Sequence, residues 1–235
     1  MCGRINQHVN PREWAAILGV ARGFSDDWRP RYNIAPTQTV LCIRDSDRRE
    51  FFAARWGLIP SWAKDAKIGA QCINARTETI ETKPAFRTAF KKRRCLVIAD
   101  GFYEWQKDTP TKGEKQPHYI SLRSGEPMAF AGLWEIWNSP EGPLETCTIC
   151  TTDANDMMGR LHDRMPVNLP RDMIDLWLNA KMTEPEELKP LLLQLPSEHM
   201  QSWAVGKAIG NVRNQGPELM APIEPPEPLD FVSDN

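Results

Sequence analysis

Short runs of apolar residues, punctuated by polar turns, dominate the chain. "TVLCIR" and "REFFAARWG" read as strands joined by the turn "DSDR". "CLVIAD", "GFYEWQK", "HYISLR", "MAFAGLWEIW", "LETCTICTT" and "MQSWAV" read as further strands, with "RSGEP" as a turn before "MAFAGLWEIW". Helical signals are fewer. In "VNPREWAAILGV", Asn10 is a good N-cap and Pro11 suits the first helical position. "KPAFRTAFKKRR" places Phe86 and Phe90 four apart on one helical face. "PRDMIDLWLN" and "PEELKPLLLQ" complete the set. Consecutive, short-linked strands with helices early and late predict a single compact α+β domain, mostly antiparallel sheet with flanking helices, and not a βαβ repeat.

Composition changes little in this picture. The chain has 235 residues, 41% hydrophobic and 26% charged, as expected of a globular protein. No run approaches the ~20 apolar residues of a membrane helix, and no apolar signal-peptide core opens the chain. A cytoplasmic location, without membrane association, is expected. Six cysteines at 2, 42, 72, 95, 147 and 150 are then expected to be reduced. "CTIC" resembles half a metal motif, but it has no second pair and lies in a strand, where residues three apart face opposite ways. Core packing is the expectation, with no metal and no cofactor.

Charge refines it further. The net charge is −2, from 29 basic and 31 acidic residues. The last twenty residues, "GPELMAPIEPPEPLDFVSDN", hold five acids and no Lys or Arg. Without them the balance is 29 against 26, or +3, which allows a local positive groove. The acidic, Pro-rich tail, 220–235, is expected to be disordered or draped over the surface.

Several loop-like segments carry functional groups: "MCGR", "RYNIAPTQ", "WGLIPSWAK", "INARTET", "ADGFYEWQ", "GRLHDRMP" and "GNVRNQG". In "GFYEWQ", alternation sets Phe102, Glu104 and Gln106 on one face and Tyr103 and Trp105 on the other. A Glu buried unpaired among aromatics costs roughly several kcal/mol, so Glu104 is exposed, paired with an Arg, or tuned as an acid/base. His162 is a loop histidine or a proton carrier. Asn74 caps a turn or holds a ligand. The "KKRR" run at 91–94 is a solvated helix end or a nucleic-acid patch.

In their order, these motifs closely resemble the SOS-response-associated peptidase (SRAP) family of abasic-site processing proteins, over roughly residues 2–219. The resemblance implies loss of Met1 and exposure of Cys2. It implies that an abasic site in single-stranded DNA is trapped as a covalent, ring-stable cross-link. Cys2 falls on the nucleophile, and Asn74, Glu104 and His162 fall on the other active-site positions. Arg4 and Arg76 fall on DNA-contacting arginines, and Trp62, Trp105 and Asn33 are expected to complete the DNA contacts. The implied partner is abasic single-stranded DNA, met by a monomer, with weak AP-lyase chemistry as a side activity. Ala63 departs from the family, where an aromatic wedge often follows the Trp of "PSW".

An N-terminal cysteine suits this chemistry. Its α-amine and thiol have reference pKa values of about 7.7–8.0 and about 8.5, so both are partly deprotonated near neutrality. The amine condenses with an aldehyde and the thiol closes a five-membered thiazolidine; an internal cysteine has no amine to offer. Three rival readings are an N-terminal-nucleophile amidohydrolase, a cysteine peptidase using Cys2 and His162, and a non-catalytic single-strand binder. The first calls for an Asn-Gly oxyanion pair, which the chain lacks.

Overall fold

The architecture follows from how far each apolar run can pair. A computed structural model describes residues 2–45, 48–106 and 115–223. The centre of the "DSDR" turn, Met1 and the tail from 224 onward lie outside the described residues. Twelve strands and five short α-helices are described. In chain order they are β1 (Ile5–Gln7), α1 (Pro11–Leu18), β2 (Arg31–Ile34), β3 (Thr39–Arg44) and β4 (Glu50–Trp56). Next come β5 (Asn74–Arg76), α2 (Arg87–Lys92), β6 (Arg94–Ala99), β7 (Gly101–Gln106) and β8 (Gln116–Leu122). The rest are β9 (Met128–Ser139), β10 (Gly142–Asp153), α3 (Asp156–Gly159), β11 (Arg164–Pro166), α4 (Arg171–Leu178), α5 (Pro185–Leu188) and β12 (Met200–Ala204). The expected α+β fold is what forms, with mostly antiparallel pairing.

Two sheets are built. One has the order β12-β8-β7-β1-β2. In the other, β10 pairs with both β4 and β9, so β4-β3-β6-β9-β10 closes on itself as a five-stranded ring. Alternation along the ring strands sorts the core into two sides. Val40, Cys42, Phe52, Cys95, Val97, Phe130, Cys147 and Ile149 share one cluster with Ile5, Phe102 and Ile120 of the other sheet. Ile43, Phe51, Leu96, Ile98, Leu133 and Cys150 pack instead with Trp14, Phe90 and Trp177 from the helices. The two cysteines of "CTIC" therefore fall on opposite sides, both fully buried, as a strand requires.

Three expectations are corrected. The helix over 83–94 is confined to Arg87–Lys92, and its "KKRR" end splits. Arg94 opens β6, buried, and donates to the carbonyls of Phe90, Lys91, Trp177, Asn179 and Met182. It ties α2 to α4 and is no part of a solvated patch. The helix over 185–194 breaks after Leu188, because Pro190 has no N–H to continue it; a 3-10 turn follows. The start of the last twenty residues is docked. Leu219 is buried, Met220 accepts a bond from Trp203 Nε1 at 2.7 Å, and Pro222 bridges to Val205. Among the described residues no helix is long and apolar enough to cross a membrane.

Candidate active site

One strand, β10, gathers most of the site. Its first half lies beside β4; beyond Cys147 the parallel neighbour becomes β5, with Asn74 opposite Ile149 and Arg76 opposite Thr151. Its last three residues pair with β11, Asp153 lying opposite Arg164. "INAR" and "HDRMP", ninety residues apart in the chain, thus meet on the two flanks of one strand. β5 and β11 are three residues each, too short to show a period.

The N-terminus enters from the other sheet. β1 lies between β2 and β7, with Ile5 opposite Phe102. This draws Cys2 into the core, fully buried with Ile5, Phe102 and Met158. Asn74 Nδ2 donates to the Cys2 carbonyl at 2.8 Å. Asn74 is itself buried, and its Oδ1 has no hydrogen-bond partner among the described residues. Burial drives the Cys2 thiol well above its ordinary value, and the nearby Glu104 carboxylate pushes the same way.

Glu104 sits on β7 with the alternation expected. Phe102 joins the Cys2 cluster, whereas Tyr103 and Trp105 join the opposite one. Glu104 is buried, its Oε1 accepting from the Trp105 N–H at 3.2 Å. With Trp105, Lys115 and His162 it lines a cavity of about 350 Å³. His162, 13% exposed at its side chain, comes from the turn before β11. Its Nδ1 is reached both by the Arg164 N–H at 3.0 Å and by the Asp163 carboxylate at 2.7 Å. These two contacts suit opposite protonation states: the amide needs a bare nitrogen, the carboxylate a protonated one.

The expected DNA contacts separate into two kinds. Arg76 is exposed, and its side chain has no hydrogen-bond or ionic partner among the described residues. Trp62 is 59% exposed. Its loop is fastened below: Gly57 and Gly69 meet so closely that a Cβ on either would lie 2.7 Å from the other's carbonyl oxygen. Trp137 Nε1 donates to the Ala63 carbonyl at 2.7 Å. Asn33, by contrast, is fully buried. Its carboxamide donates to the carbonyls of Ile209, Asn211 and Asn214 and so braces the "GNVRNQG" loop. Arg4 Nη1 bonds Asn33 Oδ1 at 2.6 Å and the Ile209 carbonyl at 2.8 Å, its guanidinium lying over the Trp105 ring. Trp105 is therefore a half-buried wall of the cavity and not an open platform. Sequence reasoning missed Lys115, Glu78 and Arg164, whose only signal was a place beside the motifs.

Two sheets thus bring a thiol, an amide, a carboxylate and an imidazole into one region of the fold. The family model described as SOS response associated peptidase (SRAP) matches residues 1–212, and the chain belongs to that family. It is 46% identical over 224 residues to abasic site processing protein YoaM of Bacillus subtilis, covering 94% of this chain and 97% of that one. Abasic site processing protein HMCES of Gallus gallus is 33% identical over 231 residues, 84% of this chain and 67% of its own. A solved structure from Bacteroides thetaiotaomicron superposes with a TM-score of 0.84 at 25% identity, covering 94% of this chain and 99% of that one.

Proposed function

We propose that this protein processes abasic sites in single-stranded DNA by covalent capture on Cys2 after Met1 is removed. The observation that carries the reading is what surrounds Cys2: Asn74 holds its carbonyl and the Glu104 carboxylate acts on its thiol, while Glu104 and His162 share one cavity. Loss of Met1 leaves Cys2 with a free amine. Glu104 takes a proton from the ammonium, and the amine adds to the aldehyde of the opened sugar. The resulting carbinolamine loses its hydroxyl as water, with His162 supplying the proton, to give an imine. The thiol then adds to the imine carbon. A C–S bond forms, the C=N bond becomes single, and the thiol proton ends on nitrogen. One water is lost overall, and the thiazolidine ring is closed.

The remaining groups have roles that fit their placement. Asn74 Oδ1, buried without a donor, is set to accept from a sugar hydroxyl. Arg76 grips a phosphate flanking the lesion, Arg4 holds Trp105 and the Ile209 loop that frame it, and Trp62 stacks on a neighbouring base. The imine is also the intermediate of strand cleavage, so weak AP-lyase activity accompanies capture. Residues 2–219 form the working unit.

A denaturing gel tests the reading. Protein lacking Met1, incubated with a single strand carrying one abasic site, is expected to give a heat-stable shifted band. No band from abasic DNA, or an equal band from intact DNA, rejects it.

A further inference from the structure

We propose that Glu78 is a positioning residue: through Arg164 it fixes the turn that carries His162 relative to the strand that carries Asn74. The inference rests on the reading of His162 as a proton carrier in abasic-site capture.

Arg164 is the first residue of β11 and stands two places after His162. Its side chain is buried, and it forms a two-toothed pair with Glu78: Nη1 to Oε1 at 2.8 Å and Nη2 to Oε2 at 3.0 Å. Nη2 also donates to the Thr151 carbonyl at 2.7 Å, and Nη1 bonds the Asp153 carboxylate. Glu78 lies two residues beyond Arg76, in the turn after β5. The pair therefore spans β10, joining the segment of Asn74 and Arg76 on one flank to that of His162 on the other. Parallel two-bond pairs of this type fix direction as well as distance. Burial alone raises the Glu78 carboxyl, but the hydrogen bonds from Arg164 outweigh it and hold the carboxyl below its usual value. The pair stays ionised at neutral pH.

What the pair positions is a backbone N–H. The Arg164 amide donates to His162 Nδ1 at 3.0 Å and so favours the neutral ring with its proton on Nε2, against the pull of the Asp163 carboxylate on the same nitrogen. Four charged groups stand around this imidazole: Glu104 and Lys115 in the cavity, Asp163 beside Nδ1 and Arg164 behind it. Asp163 is 76% exposed and gives little purchase; Glu78, with two bonds to a buried guanidinium, gives more.

Glu78→Gln keeps the shape and removes the charge. Its adduct-forming rate at saturating abasic single strand is expected to fall about tenfold to a hundredfold, the scale of a small misplacement of a reacting group. The strand concentration giving half the maximal rate should not move. Nitrogen NMR of His162 should change from one Nε2–H tautomer to a mixture, and Glu78→Asp should restore part of the rate. If Glu78→Gln does not fold, Arg164→Lys, which keeps charge and loses the two-bond geometry, carries the same expectations. A wild-type rate, or a lost rate with unchanged His162 signals, overturns the proposal. Absence of adduct from the wild-type protein rejects the function reading instead, and the His162 signals then still test Glu78.

Discussion

Asn74 holds Cys2 by its backbone and not by its sulfur: Nδ2 donates to the Cys2 carbonyl at 2.8 Å across 72 positions of sequence. The thiol and the future amine are left unbound by this contact while the residue that bears them is fixed. Asn74→Ala leaves a buried carbonyl without its donor, which costs about 1–3 kcal/mol. A lower melting temperature is expected, together with an adduct-forming rate slowed on the order of tenfold or more through lost alignment. Single-turnover kinetics at the wild-type rate would show that the contact is incidental.

Alkaline pH should weaken the fold. All six thiols are shifted up by burial, as are the hydroxyls of Tyr103 and Tyr119. In Cys147 a hydrogen bond with Cys42 raises the thiol even more than burial does. Each group is neutral when folded at a pH where the unfolded chain has begun to ionise. The stability they contribute is full below the ordinary thiol and phenol values, about 8.5 and about 10, and is lost as pH rises above them. Unfolding free energy from denaturant titrations is expected to be steady between pH 7 and 8 and to fall from pH 9 to 10. A flat or rising profile over that window would contradict the burial described.

Trp62→Ala should weaken binding of intact single strands without lowering stability, because the ring is 59% exposed. Loss of one stacked base corresponds to about 1–3 kcal/mol. Arg76→Ala should reduce the salt slope of log affinity by about 0.7, the share of one phosphate on a single strand, equally for all sequences. Fluorescence titrations at several salt concentrations check both; unchanged affinity in the Trp62 variant would move the stacking surface elsewhere.

Arg94→Met tests the opposite kind of arginine. Five carbonyls lose their donor, so a loss of about 3 kcal/mol or more is expected, with DNA affinity per folded molecule unchanged. Weaker DNA binding with an intact melting profile would return the "KKRR" run to the DNA surface.

The contrast between Arg76 and Arg94 shows what the sequence could and could not reveal. The long strands were legible because they run to six residues or more, and the alternation of "GFYEWQ" separated Phe102 from Tyr103 and Trp105 as the structure does. The three-residue strands carrying Asn74 and following His162 have no period of their own; their partner β10 defines them. Nor does any local signal separate an exposed arginine from one that opens a strand inside the core. The bracing role of Asn33 was hidden for the same reason, since its three acceptors lie 176 to 181 positions away. The resemblance to a family supplied the assembly that local pattern could not.

Cys2→Ala is expected to abolish the adduct, and retention of Met1 should do the same, because each removes the aminothiol. Cys2→Ser should leave only a labile imine that borohydride traps.

The most direct measurement is the intact mass and peptide map of the adduct formed with a single strand bearing one abasic site. The expected species is protein without Met1 plus the oligonucleotide minus one water, with the DNA on the N-terminal peptide beginning at Cys2. An adduct on any other peptide, or one formed while Met1 is retained, would contradict capture by the Cys2 aminothiol.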